Sequence, residues 1–173
     1  MIHLPYTGAM HIRPATPSDW REIWTIVEPV IRAGETYALD RDLTETDAHI
    51  YWMGGDKEVF VAIDDEDGDM LGSYWIHPNQ YGGGRHICNC GYMTRPTERG
   101  HGVGHALCAH SIGHARSRGY RGMQFNFVIA TNAPAVHTWT EMGMEIKACM
   151  PGVFNHPTKG YVDAFVMFQS LVD

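Results

Sequence analysis

A mixed α/β sheet of the α+β class is the fold the chain predicts, and three features predict it. Seven runs of strand-forming residues interleave with four segments of helical periodicity. The last two strands follow one another with no helix between them. At mid-chain, a strand that stops at Pro96 passes through a glycine-punctuated turn into a helix beginning near Val103. With 173 residues, one domain spanning 1–173 with a real core is expected, since two would be cramped.

In chain order, Ile12-Arg13 is a short first strand. Thr16-Pro17-Ser18-Asp19 starts a helix: Thr16 caps, Pro17 takes the first helical position, and Asp19 closes a capping box. Trp20, Ile23, Trp24, Val27, Val30 and Ile31 give it one apolar face; Pro29 is expected to kink its last turn and Gly34 to end it. A loop, residues 34–39, leads to a second helix that starts at Thr44 with another capping box and ends at Gly54-Gly55. Residues 59–63 and 71–76 form a strand pair. The acidic run between them, 64–69, reads as a solvated hairpin turn, because a calcium loop needs flanking helices and a bidentate Glu.

A flexible connection, 80–85, precedes the strand 86–93. After the glycine turn, Gly104, Leu107, Cys108, Ser111 and Ala115 make a small-residue helix face suited to close packing on a sheet. Residues 123–128 are a strand, 133–142 a helix ended by Gly143, and 145–150 and 161–168 two strands separated by a Pro/Gly-rich loop, 151–160.

Composition excludes several classes of function. A net charge of −7 argues against nucleic acid, which is held through basic patches that displace counterions. No apolar run reaches membrane-spanning length, and Met1 to Tyr6 lack the basic region and apolar core of a signal peptide, so a cytoplasmic location is expected. Four cysteines do not make a disulfide framework. The histidine pairs 101/105 and 110/114 have ligand-like spacing, but no H-E-x-x-H accompanies them and Cys88/Cys90 have no second pair, so no metal is expected. No G-x-S-x-G elbow supports a serine hydrolase.

Chemistry concentrates at two kinds of position. Gly100, Gly102 and Gly104 leave the main chain bare where a helix begins. Amides there, at the positive end of a helix dipole and beside Arg99, suit a phosphate, while an ordinary glycine-rich loop is the alternative. The other kind is a polar residue stranded among apolar neighbours: Asn89, Asn126 between Phe125 and Phe127, and Asp163 in the run 161–168. Each either satisfies a sheet edge or bulge, or faces a ligand.

The segment Arg99-Gly100-His101-Gly102-Val103-Gly104 resembles the R/Q-x-x-G-x-G/A signature of the GNAT N-acetyltransferase superfamily. The segment from Asn132 to Met144 is similar to its N-x-x-A-x-x-x-Y-x-x-x-G-F signature, with Trp139 in place of Tyr and Met144 in place of Phe. The resemblance implies acetyl-CoA as co-substrate. It also implies a mostly antiparallel sheet of about seven strands flanked by about four helices, with strands four and five splayed in a V and a bulge in the fourth.

Residues carried over for the cofactor are Tyr92, Met93 and Thr94 for the pantetheine arm, Asn132 beside it, and Arg99, Gly100, His101, Gly102, Val103 and Gly104 for the phosphates. Those for the acceptor are Thr36, Tyr37, Asn89, Tyr92, Asn126 and Trp139. Asn89, Asn126 and Asp163 are the candidate catalytic groups, with Asp163 or a water on Asn89 taking the amine proton.

Around Asn89 and Asn126, and at Trp139, the chain resembles fungal acetyltransferases of cyclic imino acids. Residues 34–39 look like phosphinothricin-type amino-acid acetyltransferases. Both imply N-acetylation of a small amino-acid-like molecule, and the family makes a homodimer the expected assembly. Acetylation of a protein N-terminus or lysine, and a non-catalytic acyl-CoA-binding module, are the alternatives.

Overall fold

Short-range signals account for most element boundaries in the computed structural model, which describes residues 8–98 and 100–172. β1 (Met10–Pro14) leads to a 3-10 turn, Pro17–Asp19, that runs into α1 (Trp20–Ala33). The Asp19 carboxylate accepts the Thr16 N–H at 2.6 Å and a two-pronged ion pair from Arg13 at 2.9 Å, so the chain is pinned as it enters the helix. α1 continues through Pro29 and stops at Gly34, whose φ of 65° only glycine adopts readily. α2 (Glu45–Met53) is capped by Thr44 Oγ1, which accepts the Asp47 N–H.

β2 (Glu58–Asp64), β3 (Met70–Pro78) and β4 (Ile87–Thr94) follow, then α3 (Val103–Ser117), β5 (Gly122–Ile129), α4 (Ala133–Glu141), β6 (Glu145–His156) and β7 (Gly160–Ser170). The acidic run between β2 and β3 folds as a hairpin turn, with Asp64 accepting the Glu66 N–H at 2.7 Å. All seven strands join one sheet in the order β1-β2-β3-β4-β5-β7-β6, antiparallel except for the β4–β5 pair.

The expected loop 151–160 is a correction. β6 runs through it to His156, and only a short turn precedes Gly160. Pro151 and Gly152 read as a turn, yet on an edge strand a missing N–H costs no ladder bond, and the pair sits at a bulge between Met150 and Phe154.

Strand alternation separates the two larger core clusters. Val61, Trp75 and Met93 face α1 and α2, packing with Ile23, Val27, Ile31 and Trp52. Phe60, Tyr74, Cys90, Phe125 and Met167 face the other way, onto Val103, Leu107, Cys108 and Ala115 of α3 and Trp139 of α4. α3 presses close to the sheet at Gly72, where a Cβ would stand 3.0 Å from Leu107 and from the Met93 carbonyl. On the first face Trp52 Nε1 donates to Ser73 Oγ at 3.0 Å, which donates to the Phe60 carbonyl, whereas the buried Trp75 Nε1 has no partner among the described residues.

Candidate active site

The site forms where the sheet opens. β4 and β5 pair only at Ile87–Gly122 and Cys88–Met123, and beyond these two rungs they part. β5 bends at a bulge: Phe125 opposes Met167 but Val128 opposes Phe165, so Asn126 and Phe127 together face Val166. The β3–β4 register is unbroken from Gly72–Thr94 to Pro78–Cys88. The bulge expected in the fourth strand is therefore in the fifth.

Two hydrogen bonds fix which way β4 turns its main chain. Arg95 N–H donates to the Leu71 carbonyl at 2.8 Å and Asn79 N–H to the Ile87 carbonyl at 2.7 Å. In an antiparallel ladder this phase directs residues 87, 89, 91 and 93 toward β3, and Cys90, Tyr92 and Thr94 toward the opening. Met93 was expected to offer its main chain to the cofactor, but it gives those groups to Ser73, and its side chain is buried on the α1 side. Tyr92 and Thr94 do face the gap. The Tyr92 carbonyl already accepts a 2.9 Å hydrogen bond from the Tyr37 hydroxyl, which ties the loop after α1 to the strand edge. Burial pushes the Tyr37 phenol well up, so it stays a donor.

A cavity of about 1430 Å³ fills the gap and continues past it at both ends. Trp139 lines its middle, 9% exposed, with its ring 4.7 Å from Tyr92 and 5.4 Å from Phe125. The Tyr92 hydroxyl points away into α3, 2.7 Å from Ser111 Oγ, and burial raises its phenol as well. Two thiols on this face are shifted by the same cause. Burial pushes the Cys90 thiol well up and that of Cys108 up to about 12.

One end of the cavity is the glycine turn. Gly100 and Gly102 have φ of 84° and 85°, and Gly102 is the N-cap of α3. Ala106 N–H is the first to bond back, to the Gly102 carbonyl at 3.0 Å, so the amides of Val103, Gly104 and His105 project from the helix start. A Cβ at Gly100 would meet nothing within 4 Å, and one at Gly104 only the Thr94 methyl at 3.9 Å. The space over these amides is open, as a phosphate cradle requires. Asn132, the N-cap of α4, lines the same cavity. Val103 contributes only its main chain, its side chain being fully buried, and the His101 ring turns outward to Glu98. Arg99 lies outside the described residues.

The other end is walled by the loop after α1, with Glu35, Thr36 and Tyr37, and by the β6–β7 turn, with His156 and Lys159. Asn89 and Asn126 line it from the two diverging strands. They are not equivalent. The Asn126 amide donates to Asn79 Oδ1 at 2.6 Å and accepts from Gln124 at 2.9 Å, whereas Asn89 makes no side-chain hydrogen bond among the described residues.

Asp163 is a further correction. It does not line the cavity; its carboxylate accepts the Gly152 N–H at 3.0 Å and holds the β6 bulge, with the Cys149 thiol 3.6 Å away. The stranded polar residue there served a bulge. Glu35, His156 and Lys159 went unnoticed because nothing local marks them: they reach the site only through the loop and the hairpin.

His110 and His114, despite their spacing, are engaged in packing on the sheet, with Tyr74 Oη at 2.7 Å and Glu58 at 3.1 Å. Among the described residues no three His, Cys, Asp or Glu side chains gather as a metal site.

Residues 18–144 match the model of the acetyltransferase (GNAT) family. The chain belongs to that family. A GCN5-related N-acetyltransferase from Kribbella flavida is 39% identical and superimposes with a TM-score of 0.89 over 94% of this chain and 98% of its own. The N-acetyltransferase aca1 of Schizosaccharomyces pombe is 27% identical over 161 residues, 83% of this chain and 77% of that protein.

A phosphinothricin acetyltransferase (Pat) from Sinorhizobium meliloti, solved in complex with AcCoA, shares the fold. Its TM-score is 0.81 at 19% identity, over 93% of this chain and 88% of its own. This GNAT chain is an acetyl-CoA-dependent N-acetyltransferase, and its open glycine turn fits the donor's diphosphate.

Proposed function

We propose that this GNAT enzyme acetylates the amino or imino nitrogen of a small amino-acid-like acceptor by direct attack on acetyl-CoA. The observation that carries the reading is the continuous cavity, which runs from the glycine turn through the β4–β5 gap to a chamber walled on two sides by residues 35–39 and the β6–β7 turn. That chamber suits a compact acceptor better than a protein tail. Phe154 to Pro157 also share a second hollow of about 320 Å³ with Tyr37 and Leu39, so the two walls approach each other.

Direct transfer asks for proximity, a route for the amine proton and a donor to the developing oxyanion. The amides of residues 103–105 and Gly102 would hold the diphosphate, joined by Arg99, and Asn132 the pantetheine side. The Tyr92 N–H, turned into the gap by the ladder phase, is the oxyanion donor we assign. Asn89, with its amide uncommitted, would hold the acceptor nitrogen or the water that takes its proton. Trp139 cannot act as an acid, because an indole N–H only donates a hydrogen bond, so water protonates the departing thiolate. We place the enzyme in the cytoplasm as a homodimer of single-domain chains; no helix among the described residues is long and apolar enough to cross a membrane.

Thiol release from acetyl-CoA with a panel of amino acids, imino acids, polyamines and peptides tests the reading. Release with amino or imino acids is expected. Release only with peptides would assign the acceptor to proteins, and coenzyme binding with no release from any acceptor would overturn transfer.

A further inference from the structure

We infer that the acceptor is recognised as a zwitterion, its carboxylate held by Lys159 and His156 and its ammonium drawn to Glu35; this rests on the transfer reading above. The charges lining the cavity fall into two groups. At the cofactor end, Glu98 faces His101 at 3.3 Å and Glu141 faces His137 at 3.4 Å, each carboxylate beside a partner. At the acceptor end, Glu35 of the loop after α1 and Lys159 of the β6–β7 turn both line the cavity as exposed side chains, and neither has an ion-pair partner among the described residues. A chamber with one uncompensated acid and one uncompensated base complements a molecule that carries both charges.

His156 adds direction. It is 5% exposed, one of only three buried polar or charged residues among those described, and it lines both the main cavity and the adjoining hollow. Its Nδ1 accepts the Thr158 N–H at 3.2 Å, so in the neutral ring the proton sits on Nε2. In that tautomer the ring presents a donor at Nε2, its Nδ1 lone pair being occupied by Thr158. It can donate one hydrogen bond to an acceptor oxygen. Lys159, three residues on, supplies the charge. Both come from the tip of the β6–β7 hairpin, so one element carries the carboxylate subsite and the loop after α1 carries the ammonium subsite.

The test compares matched probes, L-proline with L-prolinamide and pyrrolidine, and L-methionine with L-methioninamide, in thiol-release kinetics at saturating acetyl-CoA. The intact enzyme should use the acids with a kcat/KM roughly 10- to 100-fold above the amides. Lys159→Gln should erase that preference by raising KM for the acids, with KM for acetyl-CoA unchanged, whereas Glu35→Gln should weaken acids and amides alike.

His156 is read by a pair of variants. His156→Asn keeps an oxygen for the Thr158 N–H and loses the distal donor, while His156→Gln restores a donor near the Nε2 position. Recovery of acid KM in His156→Gln relative to His156→Asn supports donation to the carboxylate. The reverse order would show a purely structural histidine and overturn its role. Equal or better use of the amides by the intact enzyme overturns the zwitterion inference while leaving acetyl transfer standing. No turnover of any probe, with polyamines or peptides active, also overturns it and moves the acceptor class.

Discussion

Asn89 and Asn126 share a cavity but differ in what they already bond, and this separates their expected phenotypes. Asn89 makes no side-chain bond among the described residues, so Asn89→Ala removes nothing the fold uses. It should leave the melting temperature unchanged while lowering kcat roughly tenfold or more, as for a lost hydrogen bond to a reacting group. Asn126 links Asn79 and Gln124 across the mouth of the gap. Asn126→Ala should therefore raise acceptor KM and also cost about 1–2 kcal/mol of stability, with acetyl-CoA affinity spared. Steady-state kinetics and thermal melts on both variants check the contrast; equal loss of acceptor and coenzyme affinity in Asn126→Ala would misplace it.

Both asparagines were legible in the sequence as cavity candidates, because a polar residue in an apolar strand either bonds within the sheet or faces an opening. The same argument picked out Asp163 and placed it wrongly. Only the fold shows that its partner is the Gly152 amide at a bulge rather than a ligand.

At the scale of elements, local backbone demands were readable and long-range ones were not. The glycine turn announces itself because Gly100 and Gly102 adopt φ values near 85°, which other residues avoid, and the capping residues of α1 and α2 act within four positions. The extent of β6 was not readable. Pro151-Gly152 is acceptable inside a strand only because β6 turns out to be the sheet edge, and edge status is a property of the whole topology. The position of the β5 bulge is hidden for the same reason, since register is set by β7.

The turn yields a prediction with its own control. Gly102→Val forces a β-branched residue into a left-handed N-cap and over the exposed amides, so it should cost about 1–3 kcal/mol. It should also reduce acetyl-CoA affinity beyond measurement by calorimetry. Gly113→Ala, on the exposed face of α3 where a Cβ meets nothing within 4 Å, should gain about 0.5–1 kcal/mol and leave binding intact. Undiminished coenzyme affinity in Gly102→Val would refute the phosphate assignment.

At the scale of the molecule, a seven-stranded sheet is joined at its middle by two residue pairs. What holds β1–β4 to β5–β7 is the core beneath the gap, where Cys88 and Cys90 of one half pack with Met123, Phe125 and Met167 of the other under α3 and Trp139. The family resemblance, not periodicity, foretold that strands four and five part; how few rungs remain depends on where β5 turns away, which only the structure shows. A ligand seated in the gap touches both halves and binds only the folded chain, so it must stabilise the whole.

Acetyl-CoA at 100 times its Kd should add about 2.7 kcal/mol by mass action. For a chain of this size that corresponds to a rise in melting temperature of roughly 5–11 °C. CoA without its acetyl group should give most of the rise, because the diphosphate and pantetheine make most of the proposed contacts. Gly102→Val should give none, whereas Asn89→Ala should give it in full, since Asn89 lies at the acceptor end. Differential scanning calorimetry with each nucleotide reads all four cases, and a melting temperature that ignores acetyl-CoA in the intact enzyme would mean that the gap is not where the donor sits.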